Sequence, residues 1–315
     1  MHQTSRPRAL TQRRLREKRP PSSPPAFKAR YVVRGFSQRQ GVDFFYTFSP
    51  TPKMTTLRIM LHVAAQRDDE LHSLDFSTAF LQGSLHEEIW LRRPPSISGS
   101  FPAGTQWSLR RPVYGLRQAP REWHGTLRTT PSALGFAPST ADPSLFLCTD
   151  TSLPTFYVLM YITRVRARHT ITLTQSHMVY QEAAKRVLRY LCNTSGMGLV
   201  LGGRGPVVLT GYADTSWVDD LATQRSSLGY TFSLGSGSVS LRCTRSPSVL
   251  SSNCDAEIYA GAMAAQELRW LTYQLTDLGE RPRSSPVLYV DNKAMQEHRL
   301  EHRTKHVAVR YFLAR

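Results

Sequence analysis

The sequence predicts an α+β chain built as two units, and three observations carry that prediction. At 315 residues with 40% apolar content, the chain can bury one or two ordinary cores. Its first half mixes a β-branched alternating run, KARYVVRGF, with the helix-forming stretch TTLRIMLHVAAQRDDE. Its second half orders three strands, a helix, a strand and a further helix.

Residues 1–26 form their own compositional regime. Six Arg and Lys18 stand there against Glu17, and a Pro/Ser run follows that cannot propagate a helix. This predicts a disordered basic arm over 1–26. KARYVVRGF then reads as a strand, and TTLRIMLHVAAQRDDE as a helix with apolar positions at Leu57, Met60, Leu61 and Ala64. A strand ending at Leu74 would leave Asp75 at its tip.

In the second half, PVVLTGYADTSW reads as a strand ending at Asp214, and GYTFSL and SVSLRC flank a GSGS turn as a hairpin. DAEIYAGAMAAQELRWLTYQLTDLG reads as a long helix stopped by Gly279. SPVLYVDN is then a strand leading into the helical segment NKAMQEHRL.

The net charge of +17 is carried by 34 Arg against 6 Lys. Guanidinium forks match phosphate oxygens, and binding a polyanion releases its counterions, so the excess favours a polyanionic partner. A shift in codon composition also produces an Arg excess. Cys148, Cys192, Cys243 and Cys254 form no C-x-x-C pair, which argues against a disulfide framework or a structural zinc site. No signal-like apolar run and no membrane-length apolar stretch is seen. The expectation is an intracellular chain, cytoplasmic or nuclear, not secreted and without a membrane partner. His298, His302 and His306 are spaced four apart like a metal comb on one helix face, but Arg299, Arg303 and Lys305 among them oppose a cation. A solvated basic surface is the better reading of that stretch.

Five phrases between 27 and 161 occur in the order of one known family: FKARYVVRGFSQRQGVDFFYTFSP, LDFSTAFLQGSLHEEIW, VYGLRQAPREWH, GFAPSTADPSLF and FYVLMY. Together they resemble the reverse transcriptase of copia-type retrotransposons. From Gln181 onward, EAAKRVLRYL, GYADTSWVDD, LSSNCDAEIYAGA, VLYVDNKAM and HRTKHVAVRYF resemble the ribonuclease H domain that follows the polymerase in the same Pol polyprotein. The resemblance implies partial reverse-transcriptase fingers and an incomplete palm over 27–161, and a deletion junction or linker over 162–180. It implies a ribonuclease H-like domain, a mixed sheet with helices, over 181–315, truncated at its C-terminus.

Phosphoryl transfer needs divalent metals held by converging carboxylates, here Mg2+ or Mn2+. By resemblance, Asp75 is one polymerase carboxylate, and two more belong in a Tyr-x-Asp-Asp hairpin beginning at Tyr161. The chain instead supplies Thr163 and Arg164, with no Asp or Glu between Asp150 and Glu182. Arg stays protonated and repels Mg2+, so the resemblance implies a polymerase site that has lost its metal. Between that hairpin and EAAKRVLRYL there is too little chain for a thumb. Lys28, Arg30 and Arg34 match a strand approaching the incoming triphosphate, and Gln118 matches a residue near the nucleotide sugar and template. In the second region Asp214, Glu257 and Asp291 match the metal-binding, catalytic acids of ribonuclease H. Asp255 is a weaker candidate, since two residues along a helix it points away from the face of Glu257. A further acid expected in HVAVRY is Ala308 here, another lies beyond Arg315, and the chain between Met295 and Gln296 looks shorter than in the family.

Three functions stay open at this point. The first is a degenerate Pol fragment without polymerase activity whose ribonuclease H unit still cleaves RNA in RNA/DNA hybrids. The second is a non-catalytic module binding RNA or DNA, and the third is a decayed product without function.

Overall fold

The computed structural model describes residues 11–18, 26–92, 102, 105–148, 157–160, 178–203, 207–235, 237–280 and 284–291. They fall into two units of mixed α and β structure. The first takes its described residues from Met1–Pro52, His72–Pro138 and Pro143–Arg164, and the second from Lys53–Leu71, Ser139–Asp142 and Val165–Arg315. These limits differ from the expected division into 27–161 and 181–315: two pieces of the polymerase-like region belong to the second unit.

The first unit opens with an antiparallel hairpin of β1 (Thr11–Lys18) and β2 (Ala26–Val33), with Thr11 opposite Val33 and Lys18 opposite Ala26. Within the stretch expected as a disordered basic arm, Thr11–Lys18 is strand, and residues 1–10 and 19–25 lie outside the described residues. An extended strand such as β2 presents a row of N–H and C=O groups that need a ladder partner, and TQRRLREK, free of Pro, can supply it. Helix α1 (Met54–Arg67) follows in sequence but belongs to the second unit. Next come β3 (Trp90–Arg92) paired with β4 (Gln106–Ser108), then α2 (Ala119–Ala133). The small antiparallel sheet of β5 (Phe136–Pro138), β6 (Leu145–Cys148) and β7 (Tyr157–Leu159) completes the unit. Its core gathers Val33, Ile89, Leu91, Leu116 and Ala119, with Phe80, Leu85, Leu109 and Val113 packed against them.

The expected strand ending at Leu74 does not form. Residues 71–76 have no regular structure and Leu74 is 84% exposed. A strand is held by its neighbours, and among the described residues none pairs with this stretch, while β7 is paired with β6.

The second unit contains α3 (Met178–Asn193) and is built on a mixed sheet in the order β10, β9, β8, β11. Strands β8 (Leu209–Asp220), β9 (Arg225–Leu234) and β10 (Gly237–Arg245) form an antiparallel meander. Alternation along β9 buries Ser226, Leu228, Tyr230, Phe232 and Leu234, as a strand with one covered face requires. Helix α4 (Asn253–Asp277) then packs on β8 and β9 and carries the chain to β11 (Val287–Tyr289), which runs parallel to β8. Ser252 caps α4 by accepting the N–H of Asp255 at 3.1 Å. Ala256 and Ala260 let the helix approach the sheet beside Leu228 and Leu250.

Helix α1 packs on β10, and its buried residues are Thr56, Ile59, His62, Val63 and Ala64. The expected stripe at Leu57, Met60, Leu61 and Ala64 is therefore rotated, because two polar side chains are buried with distant partners. Asp142 accepts from the Lys53 N–H at 3.2 Å and from Thr56 Oγ1 at 2.6 Å, placing an anion at the N-terminus of α1. The neighbouring residues clasp the other end of the unit: Asp277 accepts from Ser139 Oγ at 2.6 Å and the Thr140 N–H at 2.9 Å, and Trp270 Nε1 donates to Ala141 O at 2.9 Å.

Strand β8 continues past Asp214 to Asp220, with a register break between Ser216 and Asp220. Within the break Val218 has φ +49°, a left-handed conformation that a β-branched residue adopts at a cost of about 1–3 kcal/mol. Val218→Gly is expected to stabilise the chain by roughly 1 kcal/mol, the strain relief being partly offset by the freer unfolded chain. Urea unfolding checks this, and an unchanged or lower midpoint would contradict it.

Candidate metal centre

Three acidic residues from separate elements converge at one end of the mixed sheet. Tyr289 of β11 stands beside Tyr212 of β8 in a parallel ladder, and the two rings stack with centroids 5.1 Å apart. Both strands run the same way, so two residues further on Asp291 and Asp214 lie near each other. The cap at Ser252 fixes where α4 begins, and Glu257 sits just beyond its first turn, on the helix that covers β8. One carboxylate oxygen from each of Asp214, Glu257 and Asp291 lies within 4.8 Å of the others. Glu257 is buried, whereas Asp214 and Asp291 are exposed at the rim. Asp214 Oδ1 accepts the backbone N–H of Thr215 at 2.8 Å, which orients its carboxylate.

The electrostatics of the trio favour a cation. Burial first, then the charges of Asp291 and Asp214 and a hydrogen bond with Asp291, push the Glu257 carboxyl up to about 7 from an ordinary value of 4.5. A raised folded-state value means that the stabilising contribution is fully present below about 4.5 and is lost as pH rises through about 7. The metal-free chain is thus expected to lose thermal stability between about pH 4.5 and 7, over the window set by that shift. Glu257→Gln is expected to flatten this dependence. Melting curves across the window check it, and an equal fall in the variant would contradict it.

The other expected site residues do not join this group. Asp255 is buried, accepts a hydrogen bond from Ser251 Oγ and donates its N–H to Ser252, so it serves the start of α4. Asp75 is exposed on irregular chain. Among the described residues, Asp214, Glu257 and Asp291 are the one group of three potential ligands. Gln118 is fully buried, with Oε1 accepting from Gln38 at 3.1 Å and Nε2 donating to Asp43 O at 3.1 Å, so its amide is engaged in packing. Arg34 precedes a short 3₁₀ turn at Gly35–Ser37, and its carbonyl accepts from Ser37 Oγ at 2.7 Å. Lys28 and Arg30 occupy β2. Thr163, Arg164, His298, His302, His306 and Ala308 lie outside the described residues. What composition and motif reading missed is the contribution of Lys53–Leu71 and Ser139–Asp142 to the unit that carries the site. The turn-forming run Ser139–Asp142 was the one available signal for it.

Among the described residues no helix is long and apolar enough to cross a membrane. Comparison with known proteins places the sequence. Residues 10–187 match the family model described as reverse transcriptase (RNA-dependent DNA polymerase). The chain is 26% identical to the retrovirus-related Pol polyprotein from transposon RE2 of Arabidopsis thaliana, over 92% of this chain and 28% of that protein. It is 26% identical to the corresponding polyprotein from transposon TNT 1-94 of Nicotiana tabacum, over 90% of this chain and 31% of that one. A shorter match, 42% identical over 91 residues, covers 29% of this chain and 64% of the secreted RxLR effector protein 161 of Plasmopara viticola. The chain spans under a third of the length of the two polyproteins. The match to RE2 extends over 404 residues, more than the 315 of this chain, so that relative holds residues within the match that have no counterpart here. No solved structure matches. More than half of the chain lies within the family model, and it belongs to the reverse transcriptase (RNA-dependent DNA polymerase) family, related to the Pol polyproteins of copia-type transposons.

Proposed function

We propose that the second unit is a ribonuclease H-like domain that hydrolyses the RNA strand of an RNA/DNA hybrid, and that this chain no longer works as a polymerase. The observation that carries the reading is the convergence of Asp214, Glu257 and Asp291 within 4.8 Å. Support comes from the sheet order β10, β9, β8, β11 with a parallel last strand reached through α4, the element order of a ribonuclease H fold.

The residues present fit a divalent cation, Mg2+ or Mn2+. Hard oxygen donors suit these ions, and every group that raises the Glu257 carboxyl is burial or another acid, so positive charge is what the trio lacks. A cation held there supplies the activation of a water and the stabilisation of the leaving 3′ oxygen. The chain's own contribution is positional. Asp214 and Asp291 stand at the exposed rim where a bulky duplex can reach, while Glu257 binds from the buried side and shares a hydrogen bond with Asp291. Glu257 and Asp291 would have to give up their shared proton to serve together as ligands, so cation affinity is expected to rise with pH.

Loss of polymerase activity rests on the sequence at Thr163 and Arg164 and on Asp75, which stands on irregular chain outside any group of three potential ligands among the described residues. Binding of the nucleic-acid backbone is assigned to Lys28, Arg30 and Arg34. In the hairpin register Arg14 pairs with Arg30 and Arg16 with Lys28. The test uses the full chain, because Lys53–Leu71 and Ser139–Asp142 are parts of the second unit. With Mg2+ or Mn2+ it is expected to cut the RNA of a labelled hybrid and to leave a primed template unextended. Primer extension, or intact hybrid under both metals, would overturn the reading.

A further inference from the structure

Beyond the metal centre, one buried titratable group holds two segments of the second unit together. His62 lies on the covered face of α1 and is 1% exposed. Its Nδ1 accepts the backbone N–H of Gly202 at 3.0 Å, and its Nε2 is buried without a hydrogen-bond partner. Gly202 has φ +89°, and a Cβ built there would stand 2.7 Å from the Cβ of Ala65, so its backbone presses directly on α1. On another side Gly235 approaches, with its built Cβ 3.9 Å from His62 Cε1. The acid acting on the ring is Glu280, which is already held by Arg67 of α1 at 2.7 Å. The neighbouring Leu278 O accepts from Arg67 Nη2 at 3.2 Å.

We propose that α1 is latched onto the second unit through the neutral imidazole of His62 and that acid opens the latch. The hydrogen bond fixes the tautomer: Nδ1 is the acceptor, so the single proton resides on Nε2. A second proton could enter only at Nδ1, where it would confront the Gly202 N–H and place a charge in a desolvated site. Burial holds the ring below its ordinary value of 6.5, with Glu280 opposing only in part. A lowered folded-state value makes this contribution complete above about 6.5 and lost as pH falls beneath it. Opening would free Ile59, Val63 and Ala64 from their covered positions.

Hydrogen exchange on the full chain, corrected for intrinsic rates, tests this. The α1 amides and the Gly202 amide are expected to lose protection about tenfold per pH unit as pH falls below about 6.5. His62→Gln keeps an oxygen acceptor but cannot titrate, so its protection is expected to stay flat. Flat protection in the unaltered chain, or the same slope in His62→Gln, would overturn the latch. Should the variant fail to fold, NMR titration of the unaltered chain decides. A His62 ring titrating below 6.5 together with the Gly202 amide supports the latch, and an unshifted titration that leaves that amide unmoved overturns it.

Discussion

Asp214→Asn is expected to lower metal-dependent hybrid cleavage by about a thousandfold while leaving the fold intact. A metal acting on developing charge is worth several kcal/mol of transition-state stabilisation, and each 1.36 kcal/mol is about a factor of ten. Asn keeps the shape of Asp and an oxygen that can accept the Thr215 N–H, now 2.8 Å from Asp214 Oδ1. What it removes is one charge of three around the cation. The same change lessens the repulsion on Glu257, so the metal-free variant is expected to melt no lower than the parent. Asp75→Asn is the matched control: Asp75 is exposed and outside the trio, and cleavage should be unchanged. Comparable losses in both variants would detach the activity from this site.

Gly115→Ala is expected to unfold the first unit, with a loss above about 4 kcal/mol. Two costs coincide at this position. Its φ of +101° is unfavourable for any side chain, and a Cβ there would lie 2.0 Å from Val33 O and 2.8 Å from Val33 N. Neither contact can yield, since the Val33 N–H bonds Tyr114 O at 2.8 Å and Val33 belongs to the buried core. Gly125 in α2 offers the contrast: nothing lies within 4 Å of its built Cβ, and Gly125→Ala should stabilise by about 0.5–1 kcal/mol. Urea unfolding of the two variants reads both signs, and a mild effect of Gly115→Ala would show that this backbone junction can relax.

Elements built from local pattern were legible in the sequence. The hairpin of β9 and β10 and the long helix α4 came directly from alternation, turn residues and the stop at Gly279, all of which act within a few residues. The three carboxylates were legible too, by resemblance, and the parallel pairing of β11 with β8 explains why residues 77 positions apart come together. Illegible features depend on distant partners. The covered face of α1 includes Thr56 and His62, which look solvent-facing until Asp142 and Gly202 supply their hydrogen bonds. The strand at Thr11–Lys18 was hidden by its charge, because composition carries no trace of the ladder that β2 offers. The strand expected before Asp75 failed for the converse reason: its apolar residues fit a strand, yet among the described residues nothing pairs with them. Gln118, matched by phrase to a residue near the nucleotide sugar and template, bonds Gln38 and Asp43 through its amide, partners that no local pattern announces.

The central claim is that Asp214, Glu257 and Asp291 hold a divalent cation, and Mn2+ binding to the full chain, followed by electron paramagnetic resonance at pH above 7, measures it most directly. Saturable binding displaced by Mg2+, accompanied by proton release and lost in Asp291→Asn, is the predicted result. Binding of undiminished affinity in Asp291→Asn, or no saturable binding in the unaltered chain, would contradict it.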